Sequence, residues 1–156
     1  MSKAKTLEEA YDKCVSSGFY NEKTPFNEEK ASSLTANAES MIMTAEIAVK
    51  GLTKEQSWLG VYSLYYEALR TYVEAYAGIA DSLSCINHQC LFAYLCIKHP
   101  ELELDWDFFE KIRTKRNGVN YYGENITYED WKTAEIQVKL YINTIKKEIK
   151  GKLKQS

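Results

Sequence analysis

The sequence has no excess of positive charge. Its 20 lysines and arginines face 22 aspartates and glutamates, for a formal net charge of −2. Bulk electrostatics therefore give no reason to expect nucleic-acid binding, and any basic site must be local. There is also no apolar run long enough to cross a bilayer. The longest stretch free of Asp, Glu, Lys and Arg is Ser82 to Ile97, which is too short and contains Asn87, His88 and Gln89. The opening MSKAKTLEEAYDK is polar and charged, unlike a secretory signal, so a cytoplasmic protein is expected. No C-x-x-C pair occurs among Cys14, Cys85, Cys90 and Cys96. Cys85, His88, Cys90, Cys96 and His99 do cluster along the chain. Their offsets fit no common zinc finger or ribbon, and points on one continuous helix cannot all converge on one ion. Small apolar cysteines in a reduced core are expected instead, with no metal and no cofactor. The paired Glu and Glu-x-x-His pattern of di-iron bundles is missing as well.

No segment alternates with a period of two for long enough to make a strand, and there is no internal repeat. What remains is helical periodicity. A chain of 156 residues suggests one domain, able to bury about 68–70% of its unfolded surface without a disulfide or metal. Residues 1–26 form a peripheral segment, with a short weak helix over 5–17 and a loop between Gly18 and Pro25. Residues 27–151 form the core. Asn27 caps a helix to Lys50, with Leu34, Ala38, Met41, Ala45 and Ala48 on its buried stripe and Gly51 as its C-terminal cap. Thr53 and Gln56 make a capping box for a long helix to Ile79. A largely apolar helix over Leu83 to Lys98 should be central, and Pro100 stops it. Asp105 caps the next helix, which ends near Tyr122 before Gly123. Thr127 and Asp130 start the last helix, and Gly151 ends it. The basic run from Lys146 to Lys154 complements that helix's dipole. The expected fold is an all-α, antiparallel up-and-down bundle of four long helices plus short flanking ones. Its twelve tyrosines are many, and their hydroxyls need partners if buried.

One stretch stands out. KIRTKRNGVNYYGENIT, Lys111 to Thr127, gathers two arginines, three asparagines and two tyrosines. On a helical wheel, Phe108, Ile112 and Val119 share a docking side, with Phe109 at its edge. Arg113, Arg116, Asn117, Asn120 and Tyr121 fall in an adjacent arc of about 140°. Arginine forks suit phosphate oxygens, and asparagine amides can donate to phosphate, ribose or base edges. An arc beside the buried side, rather than opposite it, lines a groove or an interface. The alternative is structural: Arg113 and Arg116 pair with carboxylates of neighbouring helices, and the asparagines help fray the helix toward Gly123.

Arg116-Asn117-Gly118-Val119-Asn120-Tyr121, near the end of the penultimate long helix, resembles the signature of HEPN domains. There an arginine, often followed by Asn, precedes a histidine by four to six residues. YSLYYEALRTYVEA, Tyr62 to Ala75, resembles that family's second helix, and INHQCLFAYL, Ile86 to Leu95, its third. The resemblance covers roughly residues 30–150. It implies a homodimer whose arginine motifs face each other across a cleft. It also implies binding of RNA or a nucleotide at Arg113, Arg116, Asn117, Asn120 and Tyr121. Active members are metal-independent endoribonucleases. In these a 2′-hydroxyl attacks the neighbouring phosphate, arginine stabilises the transition state and histidine moves protons. Other members are toxins paired with a minimal nucleotidyltransferase, and others bind nucleotides or partners without catalysis.

This chain departs from the pattern where chemistry needs it most. Tyr121 stands five residues after Arg116, where the motif has histidine. Tyrosine's pKa of about 10, against about 6.5 for histidine, makes it a poor base at neutral pH. Arg116, Asn117 and Tyr121 are the candidate catalytic positions by resemblance, with Tyr121 only the occupant of the histidine position. The resulting expectation is an HEPN-like dimer that binds RNA or a nucleotide, weakly catalytic or not catalytic, and a possible partner of a nucleotidyltransferase. Two alternatives stay open. One is an active ribonuclease that uses Tyr121 or His88. The other is a helical adaptor whose tyrosine-rich surfaces bind a protein.

Overall fold

The computed structural model describes residues 4–23 and 25–154. Six α-helices follow one another: α1 (Leu7–Ser16), α2 (Glu28–Gly51), α3 (Leu59–Asp81), α4 (His88–Lys98), α5 (Trp106–Tyr122) and α6 (Tyr128–Leu153). A single 3₁₀ turn, Pro100–Leu102, follows α4, and an isolated bridge between Asn21 and Ser84 is the one β-type pairing among the described residues. Among the described residues no helix is long and apolar enough to cross a membrane.

Most helix ends lie where the capping chemistry puts them. The Asn27 side chain accepts from the Lys30 amide, and Asp105 from that of Asp107. Thr127 and Asp130 form a reciprocal capping box. Gly123 closes α5 at φ +66°, a left-handed conformation that favours glycine. Several ends differ from expectation. The Gln56 side chain accepts from the Thr53 amide, but this closes a local turn and α3 begins only at Leu59. The Trp58 indole donates to the Thr53 carbonyl and holds that turn in place. Residues 82–87 are not helical, and α4 starts at His88 under an Asn87 cap. Gly51 is the last residue of α2, with Leu52 as the cap, and α6 runs through Gly151 to Leu153.

α3 is the hub and packs against α2, α4, α5 and α6. Its partners do not all alternate in direction. Tyr65 bonds Glu46 and Tyr72 bonds Glu39, so α2 runs antiparallel to α3. Trp58 meets Tyr128, Tyr65 meets Trp131 and Lys152 sits over Tyr76, so α6 runs parallel to it. Tyr66 meets His88 and Tyr76 meets His99, so α4 is parallel too. The non-helical return over 82–87 makes this possible and breaks the expected up-and-down alternation.

The cysteines overturn a second expectation. Cys14 of α1 and Cys90 of α4, 76 positions apart, form a disulfide, and only Cys85 and Cys96 are free. The bond fixes the peripheral first helix to the bundle. The Tyr20 hydroxyl, donating to the Cys90 carbonyl at 2.7 Å, holds the loop that follows it. Closing so long a loop restricts the unfolded chain, an effect worth about 2–4 kcal/mol in typical cases. Cys14→Ser should lower stability in denaturant melts by an amount in that range. A reducing agent should destabilise the parent chain similarly and leave the variant unchanged.

Candidate functional site

The arginine-rich helix α5 is anchored by Phe108, Phe109 and Ile112, all buried, with the Phe109 ring stacked on Phe92 of α4. This docking turns the polar arc of α5 toward the start of α4. Between them lies an open cleft of about 280 Å³, lined by Asn87, His88 and Gln89 from the start of α4 and Arg113, Arg116, Asn117 and Tyr121 from α5. Four of the five expected ligand-binding residues thus meet in one place. Asn120 is exposed and does not line the cleft. Tyr121 stands at the rim, 76% exposed, and its hydroxyl has no hydrogen-bond partner among the described residues.

Both arginines are paired. Arg113 donates through Nε and Nη2 to the two oxygens of Glu110, at 2.9 and 3.0 Å, and Gln89 of α4 donates to the same carboxylate at 3.0 Å. Arg116 reaches a neighbouring helix. Its Nη2 lies 2.7 Å from Glu67 Oε1, and its guanidinium sits 4.9 Å from the centre of the Tyr66 ring. Glu67 Oε1 is buried and receives no well-directed hydrogen bond, so this contact is a charge pair rather than an aligned fork. The other Glu67 oxygen accepts from Arg70, which also donates to Glu74. Three guanidiniums are thus balanced by three carboxylates. An incoming anion would find no uncompensated charge, but it would find unused donors. Arg113 keeps Nη1, Arg116 keeps Nη1 and Nε, and the Asn117 amide has no partner among the described residues. The Arg116 side chain is 24% exposed and within reach of the cleft.

His88 completes the constellation from the other helix. Its Nδ1 lies 3.1 Å from the Tyr66 hydroxyl, and Nε2 has no protein partner among the described residues. Burial, then the positive charge of Arg70, push its pKa below the ordinary value, so the ring is neutral at pH 7. If Nδ1–H donates to the tyrosine oxygen, Nε2 presents a lone pair. Tyr66 thus carries Arg116 against its ring and His88 on its hydroxyl. Tyr66, Glu67 and Gln89 took no part in the sequence-level site. Nothing in their local spacing marks them, because each gains its role only from the packing of α3 and α4 against α5.

Comparison with family models, curated proteins and solved structures finds no match for this chain.

The lowered pKa has a consequence for stability. The folded state resists a proton that the unfolded chain accepts, so stability should fall as pH drops through about 6.5 toward the folded midpoint. His88→Gln should flatten this part of the decline in denaturant melts between about pH 7.5 and about pH 5. NMR titration of the parent should place the His88 midpoint below the ordinary histidine value.

Proposed function

We propose that the cleft between α4 and α5 receives a phosphate of RNA or of a nucleotide, as the likeness to HEPN domains implies. One observation carries this reading: Arg113, Arg116, Asn117 and His88, from two helices, line a single open cleft with donors to spare. Arginine and amide donors suit a phosphate in geometry, while the balancing glutamates keep the site from being a strong general anion trap. Modest, salt-dependent affinity follows. In the same reading the chain acts as a homodimer that brings two such clefts together, and a minimal nucleotidyltransferase is a candidate partner. A cytoplasmic setting belongs to it as well. The Cys14–Cys90 bond weighs against that setting, since the cytosol keeps most thiols reduced.

A second reading has its own support. His88 is neutral at pH 7 and shares the cleft with Arg116, so it is better placed than the exposed Tyr121 to act as a base. It could take the proton of an RNA 2′-hydroxyl as that oxygen attacks the adjacent phosphate. Arg116 would then stabilise the charge of the pentacoordinate transition state, and a 2′,3′-cyclic phosphate would form as the P–O5′ bond breaks and the 5′-oxygen takes a proton from solvent water.

Labelled single-stranded RNA in EDTA tests both readings. Binding should weaken with added salt. Arg116→Ala should weaken it by roughly ten- to a hundredfold, the range for one charged hydrogen bond to phosphate. Cleavage that His88→Ala abolishes and Tyr121→Phe spares would establish the second reading. Absence of any affinity for RNA or nucleotides would discard both in favour of a protein-binding adaptor.

A further inference from the structure

Helix α5 has a second working side. Across it from the arginines, α3, α5 and α6 enclose a larger cleft of about 450 Å³. Tyr62, Ile112 and Ala134 form an apolar floor, and the apolar lining continues inward to Trp131 and Val138. The mouth is charged. Asp130 is committed, since Oδ2 accepts from the Thr127 amide at 2.8 Å and lies 3.3 Å from Lys115 Nζ. Glu124 folds back over the Gly118 backbone, where a Cβ would meet its carboxylate at 2.2 Å. Lys111 lines the same cleft and has no carboxylate partner among the described residues.

Tyr62 decides what this space is suited to hold. The residue is only 5% exposed, yet its hydroxyl has no hydrogen-bond partner among the described residues. The other buried tyrosines, at 65, 66, 72, 76, 94 and 141, all have one. Nor is the Tyr62 oxygen sealed away, since Glu67 Oε1 is the one side-chain atom both buried and unpartnered among the described residues. The phenol therefore opens onto the cleft, where a bound molecule can supply what the protein does not. Small-molecule sites span about 300–1,000 Å³ and combine an apolar lining with a few placed polar groups, as this one does.

We propose that this cleft binds a small amphipathic anion. Its ring-sized apolar body lies against Tyr62, Ile112 and Ala134, its carboxylate or other anionic group meets Lys111, and a polar atom bonds the Tyr62 hydroxyl. This site stands independently of the phosphate reading of the arginine cleft.

The probe 6-hydroxy-2-naphthoate carries a ring, a carboxylate and a hydroxyl, and its binding can be followed by its own fluorescence. One-to-one, saturable binding is expected. Tyr62→Phe should weaken it about three- to tenfold while leaving thermal stability unchanged, because the lost hydroxyl has no protein partner. Lys111→Glu, a surface change, should weaken binding several-fold, and Ala134→Trp should fill the floor and abolish it. Arg116→Ala should have no effect, and 2-naphthylmethylamine, with the charge reversed, should not compete. Absence of saturable binding would overturn the proposal. So would binding that Lys111→Glu leaves intact, or a loss of stability in Tyr62→Phe, which would reveal a protein partner for the phenol.

Discussion

Five tyrosines on one nearly enclosed helix set the terms for this molecule. Tyr62, Tyr65, Tyr66, Tyr72 and Tyr76 are all buried on α3, and a buried phenol without a partner is costly. The neighbouring helices answer the requirement for four of them, all but Tyr62. Glu46 and Glu39 of α2 accept from Tyr65 and Tyr72, and His88 and His99, at the two ends of α4, meet Tyr66 and Tyr76. Each pairing fixes the height of a helix along α3, which apolar contact alone would leave free to slide. Lys146 and Lys139 of α6 then join the same two carboxylates from outside, so that α2, α3 and α6 share one ladder.

The arginine cleft inherits its geometry from that ladder. His88 stands where it does because Tyr66 holds it, and Arg116 sits over the same ring. Glu67, one residue on, ties Arg116 to Arg70. A site so assembled is rigid on its α3 side and open on its α4–α5 side. That arrangement keeps each guanidinium on a carboxylate and leaves some of its N–H donors without a protein partner among the described residues.

Much of this was legible in the sequence because it depends on short-range chemistry. The caps at Asn27, Asp105, Thr127 and Gly123, and the polar arc of α5, are properties of neighbouring residues. The misplaced boundaries show the limit of such reasoning. Thr53 and Gln56 make the same bond whether a helix follows at once or six residues later. Leu83 to Asn87 reads as helix until Ser84 pairs with Asn21. The disulfide and the Arg116–Glu67 pair join residues far apart in the chain. Spacing cannot show whether Arg116 faces a neighbouring carboxylate or a cleft; in the folded chain it faces both.

The shared direction of α3, α4 and α6 also shapes the electrostatic character of the bundle's ends. Their carboxyl termini gather at one pole, where Asp81 meets His99 and Lys152 covers Tyr76. The partial negative charges of these three helix ends meet there the amino-terminal ends of α1, α2 and α5. Lys150 and Lys152 lie in the last turn of α6, at this pole. They place positive charge, supplied by the chain itself, beside the last carbonyls of α6.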